Sequence, residues 1–92
     1  MPALIPSDEN YDRKVLNTFL VDGRIKQLPV QRKKREVILR YLIPNFEGGR
    51  VYRESEVNDI LRAFHEDVAT LRREMVATGL LVRYRGEYAR PE

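Results

Sequence analysis

Thirteen arginines stand against four lysines in this chain, and their placement carries most of its chemical potential. A guanidinium is always charged, pairs in a fork with phosphates, carboxylates and base edges, and stacks on aromatic rings. Arg32-Lys33-Lys34-Arg35 is an unbroken basic run. Clustered cations of this kind displace counterions from DNA. Arg72 and Arg73 are adjacent, and Arg85 precedes Gly86 between two short apolar stretches. The acids gather elsewhere, as Glu54, Glu56 and Asp59. Neighbouring carboxylates can serve acid–base catalysis, but nothing here supplies a nucleophile, an oxyanion site or a metal cage. No enzyme activity and no catalytic residue are expected. The chain has no cysteine and one histidine, His65. Thiolate and His-rich metal sites are therefore excluded, and neither a metal nor a cofactor is expected.

These groups need a scaffold, and 92 residues provide one domain's worth of chain. Apolar residues are 42% and charged residues 34%, the balance of a globular domain rather than a disordered segment. The net charge of +3 hints at an anionic partner. Its distribution is uneven: residues 31–50 hold six bases and two acids, residues 51–66 two bases and four acids. No membrane span or secretory signal is visible, and the absence of cysteine fits a reducing, cytoplasmic setting.

Residues 1–6 read as a flexible arm. Ser7 is placed to cap a helix over roughly residues 8–20, with Tyr11, Val15 and Phe19 on one stripe. Asp22-Gly23 breaks it, and residues 24–28 read as a short strand stopped by Pro29. A second helix runs from Val30 or Gln31 to Ile43 and ends at Pro44, with Val37, Ile38, Tyr41 and Leu42 on its apolar side. Glu36 and Arg40 have the spacing of a helical ion pair. Val51-Tyr52 suits a very short strand. Val57, Ile60, Leu61 and Phe64 give a clean amphipathic helix over 54–65. Asp67 caps the next helix, 68–78, which Gly79 stops. Only a short turn separates these two helices, the layout of a helix-turn-helix. Residues 80–84 and 87–90 flank Arg85-Gly86 as a β-hairpin. The expected fold is α+β: a winged-helix-like helix-turn-helix over residues 31–92 with a C-terminal hairpin wing. A helix and short strand at residues 7–30 are added in front.

Several motifs strengthen this reading. Asp22-Gly23-Arg24-Ile25-Lys26-Gln27-Leu28-Pro29 is followed by Lys33-Lys34-Arg35, and later come Tyr52-Arg53-Glu54-Ser55-Glu56-Val57-Asn58 and Asp67 with Leu71-Arg72-Arg73-Glu74-Met75-Val76. Gly79-Leu80-Leu81, Arg83 and Tyr88 complete the set. Over about residues 19–90 the chain resembles an uncharacterised bacterial domain family, a domain of unknown function found alone or fused behind ArsR-type regulators. The resemblance implies a winged-helix-like fold and a role in transcriptional regulation, and no defined activity, ligand or operator. The chain departs from the family where Arg53 stands, since members tend to carry Ser or Thr there, able to form a capping box with Glu56.

On the second helix of the helix-turn-helix, Arg72 and Arg73 stand about 100° apart. Arg72 falls on the apolar side, where its stem packs and its guanidinium pairs with an acid such as Asp59 or Glu66. Arg73 points outward with Thr70 and Ala77, and Arg73 is the candidate for a guanine or phosphate contact. Glu74 at the edge opposes phosphate. Arg32, Lys33 and Lys34 are candidate phosphate contacts; a solvated helix face accounts for the same run. Arg85 at the hairpin tip suits a minor-groove contact, and Arg83 faces Tyr88 across the hairpin for a cation–π contact. His65 reads as a capping or packing residue. The expected function is double-stranded DNA binding in transcriptional regulation, as a possible homodimer through residues 8–28. The alternative is a protein-interaction or dimerisation module on the same fold, which the acidic 54–59 segment favours. No membrane partner is expected.

Overall fold

The computed structural model describes residues 8–92. The expected arm, residues 1–6, and Ser7 lie outside them. Asp8 caps the first helix, α1 (Glu9–Phe19), by accepting from the backbone N–H groups of Asn10 and Tyr11. Val15 is buried against the rest of the chain, with Tyr11, Leu16 and Phe19 packed around it.

Leu20 does not end the helix but starts a strand. β1 (Leu20–Val21) pairs antiparallel with β2 (Arg24–Ile25), Leu20 opposite Ile25. Asp22 and Gly23 join them at φ 52° and 81°. This left-handed pair forms the two-residue turn whose twist matches a hairpin. The strand expected over 24–28 is thus two residues long and one arm of a hairpin.

α2 (Arg32–Leu42) runs into a tight 3-10 turn, Ile43–Asn45, which carries Pro44 within it. Ile38, Leu39 and Leu42 are fully buried. Leu39 was not on the expected apolar side. It is buried because α2 packs against both α1 and α4, so two of its faces are covered. The turn delivers Phe46 into the core, edge-on to Tyr52 at 5.3 Å between ring centroids.

β3 (Val51–Arg53) leads directly into α3 (Glu54–Arg62). Arg53 offers no side-chain cap, but its backbone N–H donates to Glu56 Oε1 at 2.8 Å. Half of the capping box is therefore formed without Ser or Thr. α3 ends at Arg62 rather than at residue 65. Its last carbonyls, of Arg62 and Ala63, accept from Arg24 Nη1 at 3.2 and 2.9 Å, and Ile25 N–H donates to Phe64 O. A cation at that position also suits the helix dipole. Val57 and Leu61 are fully buried, whereas Ile60 and Phe64 are half-buried, so the stripe turns toward the surface at its far end. His65 lies in the following turn and its Nδ1 accepts from Asp67 N–H.

α4 (Val68–Ala77) is capped by Asp67 as expected. Leu71 and Met75 point into the core. Gly79 then turns the chain toward β4 (Val82–Tyr84) and β5 (Glu87–Ala89), joined by Arg85-Gly86. The sheet order is β3-β5-β4, all antiparallel. Tyr52 and Tyr88 occupy its inner face, packed on the helices. From α2 onward the order is helix, strand, two helices, hairpin, with the first strand paired to the last. That is a winged-helix-like arrangement in an α+β domain, with the α1 and β1–β2 segment docked on it. Among the described residues no helix is long and apolar enough to cross a membrane.

Candidate nucleic-acid interface

The two neighbouring arginines of α4 have separate surroundings. Arg72 is half-buried and donates from Nη1 to Asn58 Oδ1, and its Nε lies 3.8 Å from Glu54 Oε1. The packed role expected for Arg72 is seen, but its partners are Asn58 and Glu54, not Asp59 or Glu66. A helical wheel specifies the side a residue takes and not the neighbour found there. Asp59 instead pairs with Arg62 on its own helix, one turn on. Arg73 is exposed and makes no ion pair among the described residues.

Thr70 sits at the start of α4 with its hydroxyl committed. Its Oγ1 donates to Asp67 Oδ2 at 2.7 Å while its N–H donates to Oδ1 at 3.2 Å. These two bonds, the side-chain one foremost, hold the Asp67 carboxyl below its ordinary range, with His65 and Arg73 adding to the effect. Glu74 is no isolated acid at the edge of this face. Arg35 Nη1 reaches it from α2 at 3.0 Å.

The four cations of the basic run have four destinations. Arg32 is exposed and pairs with Glu36 at 3.4 Å. Lys33 Nζ lies 4.5 Å from the centre of the Tyr11 ring. Lys34 lines a shallow cleft with Lys14 and Phe19. Arg35 turns inward, donating to the carbonyls of Pro29 and Val30 as well as to Glu74. Glu36 thus pairs one turn back rather than with Arg40, which reaches Asp12 of α1 at 3.5 Å. Both i,i+4 pairings had equal spacing along the helix, and the docking of α1 beside Arg40 decides between them.

The acids of α3 are matched as well. Glu56 is met by Arg50 at 3.7 Å, and Glu54 Oε1 accepts from Tyr88 Oη at 3.0 Å. At the hairpin, Arg83 stands opposite Tyr88 with its guanidinium 5.9 Å from the ring centre. This is the cation–π contact expected across the strands. Arg85 marks the tip at φ 51°, its guanidinium 5.2 Å from the Tyr84 ring. That conformation is unfavourable for a residue with a branched-free but bulky side chain, and Gly or Asn would adopt it at lower cost. A cleft of about 470 Å³ lies between α4 and the hairpin, with Arg72, Arg73 and Arg83 around it.

Two consecutive helices joined by a short turn and followed by a three-stranded antiparallel sheet make this a winged-helix-like α+β domain, in which Arg73 on the outer face of α4 and Arg85 at the hairpin tip make no ion pair among the described residues. The chain belongs to a family described as an uncharacterised protein conserved in bacteria (DUF2087), whose model matches residues 24–90. The match begins at β2, inside the added N-terminal segment. No curated protein and no solved structure matches the chain.

Proposed function

We propose that the domain binds double-stranded DNA in transcriptional regulation, with the outer face of α4 toward the major groove and the β4–β5 hairpin beside it. The observation that carries this reading is Arg73: exposed, without an ion-pair partner among the described residues, and on the outer side of the second helix of the helix-turn-helix. Such a residue is free to reach a guanine edge or a phosphate. Arg85 supports the reading, because an Arg held at a costly backbone angle on the wing tip has a side chain worth presenting there. The matched acids support it too. Glu54, Glu56 and Asp59 each face a guanidinium, so α3 repels phosphate less than its composition suggests. In the same reading Arg32, Lys33 and Lys34 contact phosphate, and Thr70 supplies its methyl rather than its committed hydroxyl.

Titration of random and selected duplexes across a salt series tests this. Replacing Lys33 and Lys34 by Gln should weaken binding alike on all sequences and reduce the salt slope by roughly one to two units. Arg73→Ala should leave stability within about 0.5 kcal/mol and cost about 1–3 kcal/mol of binding, with relaxed preference at one position. Absence of binding at low salt overturns the reading.

One observation favours the interaction-module alternative. Val51, Ala89 and Val82 are cross-strand neighbours on the outer face of the wing sheet, and Tyr84 on the same face is 71% exposed. A homodimer through residues 8–28 has less apolar surface to use, because α1 turns its stripe into its own chain. Sedimentation of the full chain and of Val82→Lys distinguishes the cases. A concentration-dependent dimer lost in the variant supports copy-to-copy contact through the sheet; a monomer throughout removes it.

A further inference from the structure

We propose that the cleft between α4 and the hairpin is a binding site for a small organic anion with a flat apolar body, an aryl phosphate or aryl carboxylate. Its volume of about 470 Å³ falls within the range typical of small-molecule sites. Part of its wall is fixed in advance. Tyr88 is buried and bonded through its hydroxyl to Glu54, and Arg72 is held between Glu54 and Asn58. Glu54, the acid lining the cleft, is thereby already matched by a guanidinium and a phenol. Arg73 and Arg83 add two further positive charges that have no anionic partner among the described residues. The cleft consequently carries surplus positive charge, and a guanidinium is suited to a bidentate grip on phosphate or carboxylate. Val76 and Ala77 supply apolar surface beside these groups, with the buried Tyr88 forming the floor behind Arg83. A bare inorganic anion would leave that surface unused, and a neutral arene would leave the arginines unpaired. A ligand that combines both features satisfies the site. It also engages Arg73, and on the DNA-binding reading it therefore competes with the duplex.

Calorimetric titration of the full chain, without DNA, tests the site directly. The probes are phenyl phosphate and benzoate, with inorganic phosphate and phenol as the two partial ligands. Saturable binding of phenyl phosphate or benzoate is expected, and the one that binds identifies the anionic group. Inorganic phosphate and phenol should each bind about tenfold more weakly or not at all, and Arg73→Gln and Arg83→Gln should each cost about tenfold in affinity. Backbone and side-chain shift changes in the unmodified protein should centre on Val76, Ala77 and Tyr88, which keeps the test decisive if a variant folds poorly. Failure of both aryl anions to bind, or shift changes centred elsewhere, overturns the proposal. Loss of duplex binding alone leaves these results untouched and counts only against the DNA-binding reading.

Discussion

Phe46→Ala should lower the unfolding free energy by about 3–5 kcal/mol, the cost of removing a buried aromatic and leaving a cavity. Phe46 is 1% exposed, and it meets Tyr52 edge-on between the helices and the wing sheet. Its loss opens a void at that junction and also removes the aromatic contact. Phe64→Ala, by contrast, should cost about half as much, because Phe64 is half-buried and its transfer from water is incomplete. Phe64 touches Tyr41 edge-on at 6.0 Å near the surface, where solvent can fill the space it leaves. Denaturant unfolding of both variants measures the difference. Equal losses would mean that the far end of α3 is as well packed as the Phe46 junction.

The second large effect is expected at Arg35. Its side chain and that of Glu74 are each 29% exposed, and three of its N–H groups serve Pro29 O, Val30 O and Glu74 Oε1. Arg35→Ala leaves two carbonyls and a half-buried carboxylate without a donor. The expected loss is about 2–3 kcal/mol, in the range for hydrogen bonds to charged groups. Arg35→Lys should recover a minor part, since an ammonium cannot reproduce the forked geometry. Glu74→Ala should cost less than Arg35→Ala, because it leaves the two carbonyl bonds in place. The double variant should lose less than the sum of the two single losses, which is the sign of a direct contact. Strict additivity would show that the pair contributes nothing to holding α4 against α2.

Periodicity carried most of the architecture into view. The first part of the α3 stripe, the Asp67 cap, the Gly79 stop and the Arg85-Gly86 hairpin are all local patterns, and each is present where its residues place it. What escaped depends on neighbours distant in the chain. Phe46 follows a proline-bearing turn with no repeating pattern around it, so nothing nearby marks it as core. Phe64 continues a perfect helical spacing, but the helix stops before it. Asp22-Gly23 was legible as a break, while the same pair is also the strongest short hairpin signal. With only two residues in each flanking strand, alternation is too short to show. At the candidate interface the wheel separated Arg72 from Arg73. The inward turn of Arg35, within a run that reads as uniformly solvated, required the acceptors on Pro29, Val30 and Glu74, two of which belong to a loop with no pattern of its own.

Arg24 and Ile25 reach the end of α3 across 38 and 39 residues of chain. They also hold it by bonds whose loss would strip the C-terminal carbonyls of that helix. The small N-terminal hairpin and the helix-turn-helix are thereby joined, and their local opening is expected to be coupled. The Ile25 amide, bonded to Phe64 O, is accordingly expected to exchange with solvent only when the α3–α4 turn lets go, although nothing in their sequence positions links them. The wing hairpin is anchored separately, through β3, Tyr88 and the buried Leu81, and its amides are expected to exchange independently of this seam.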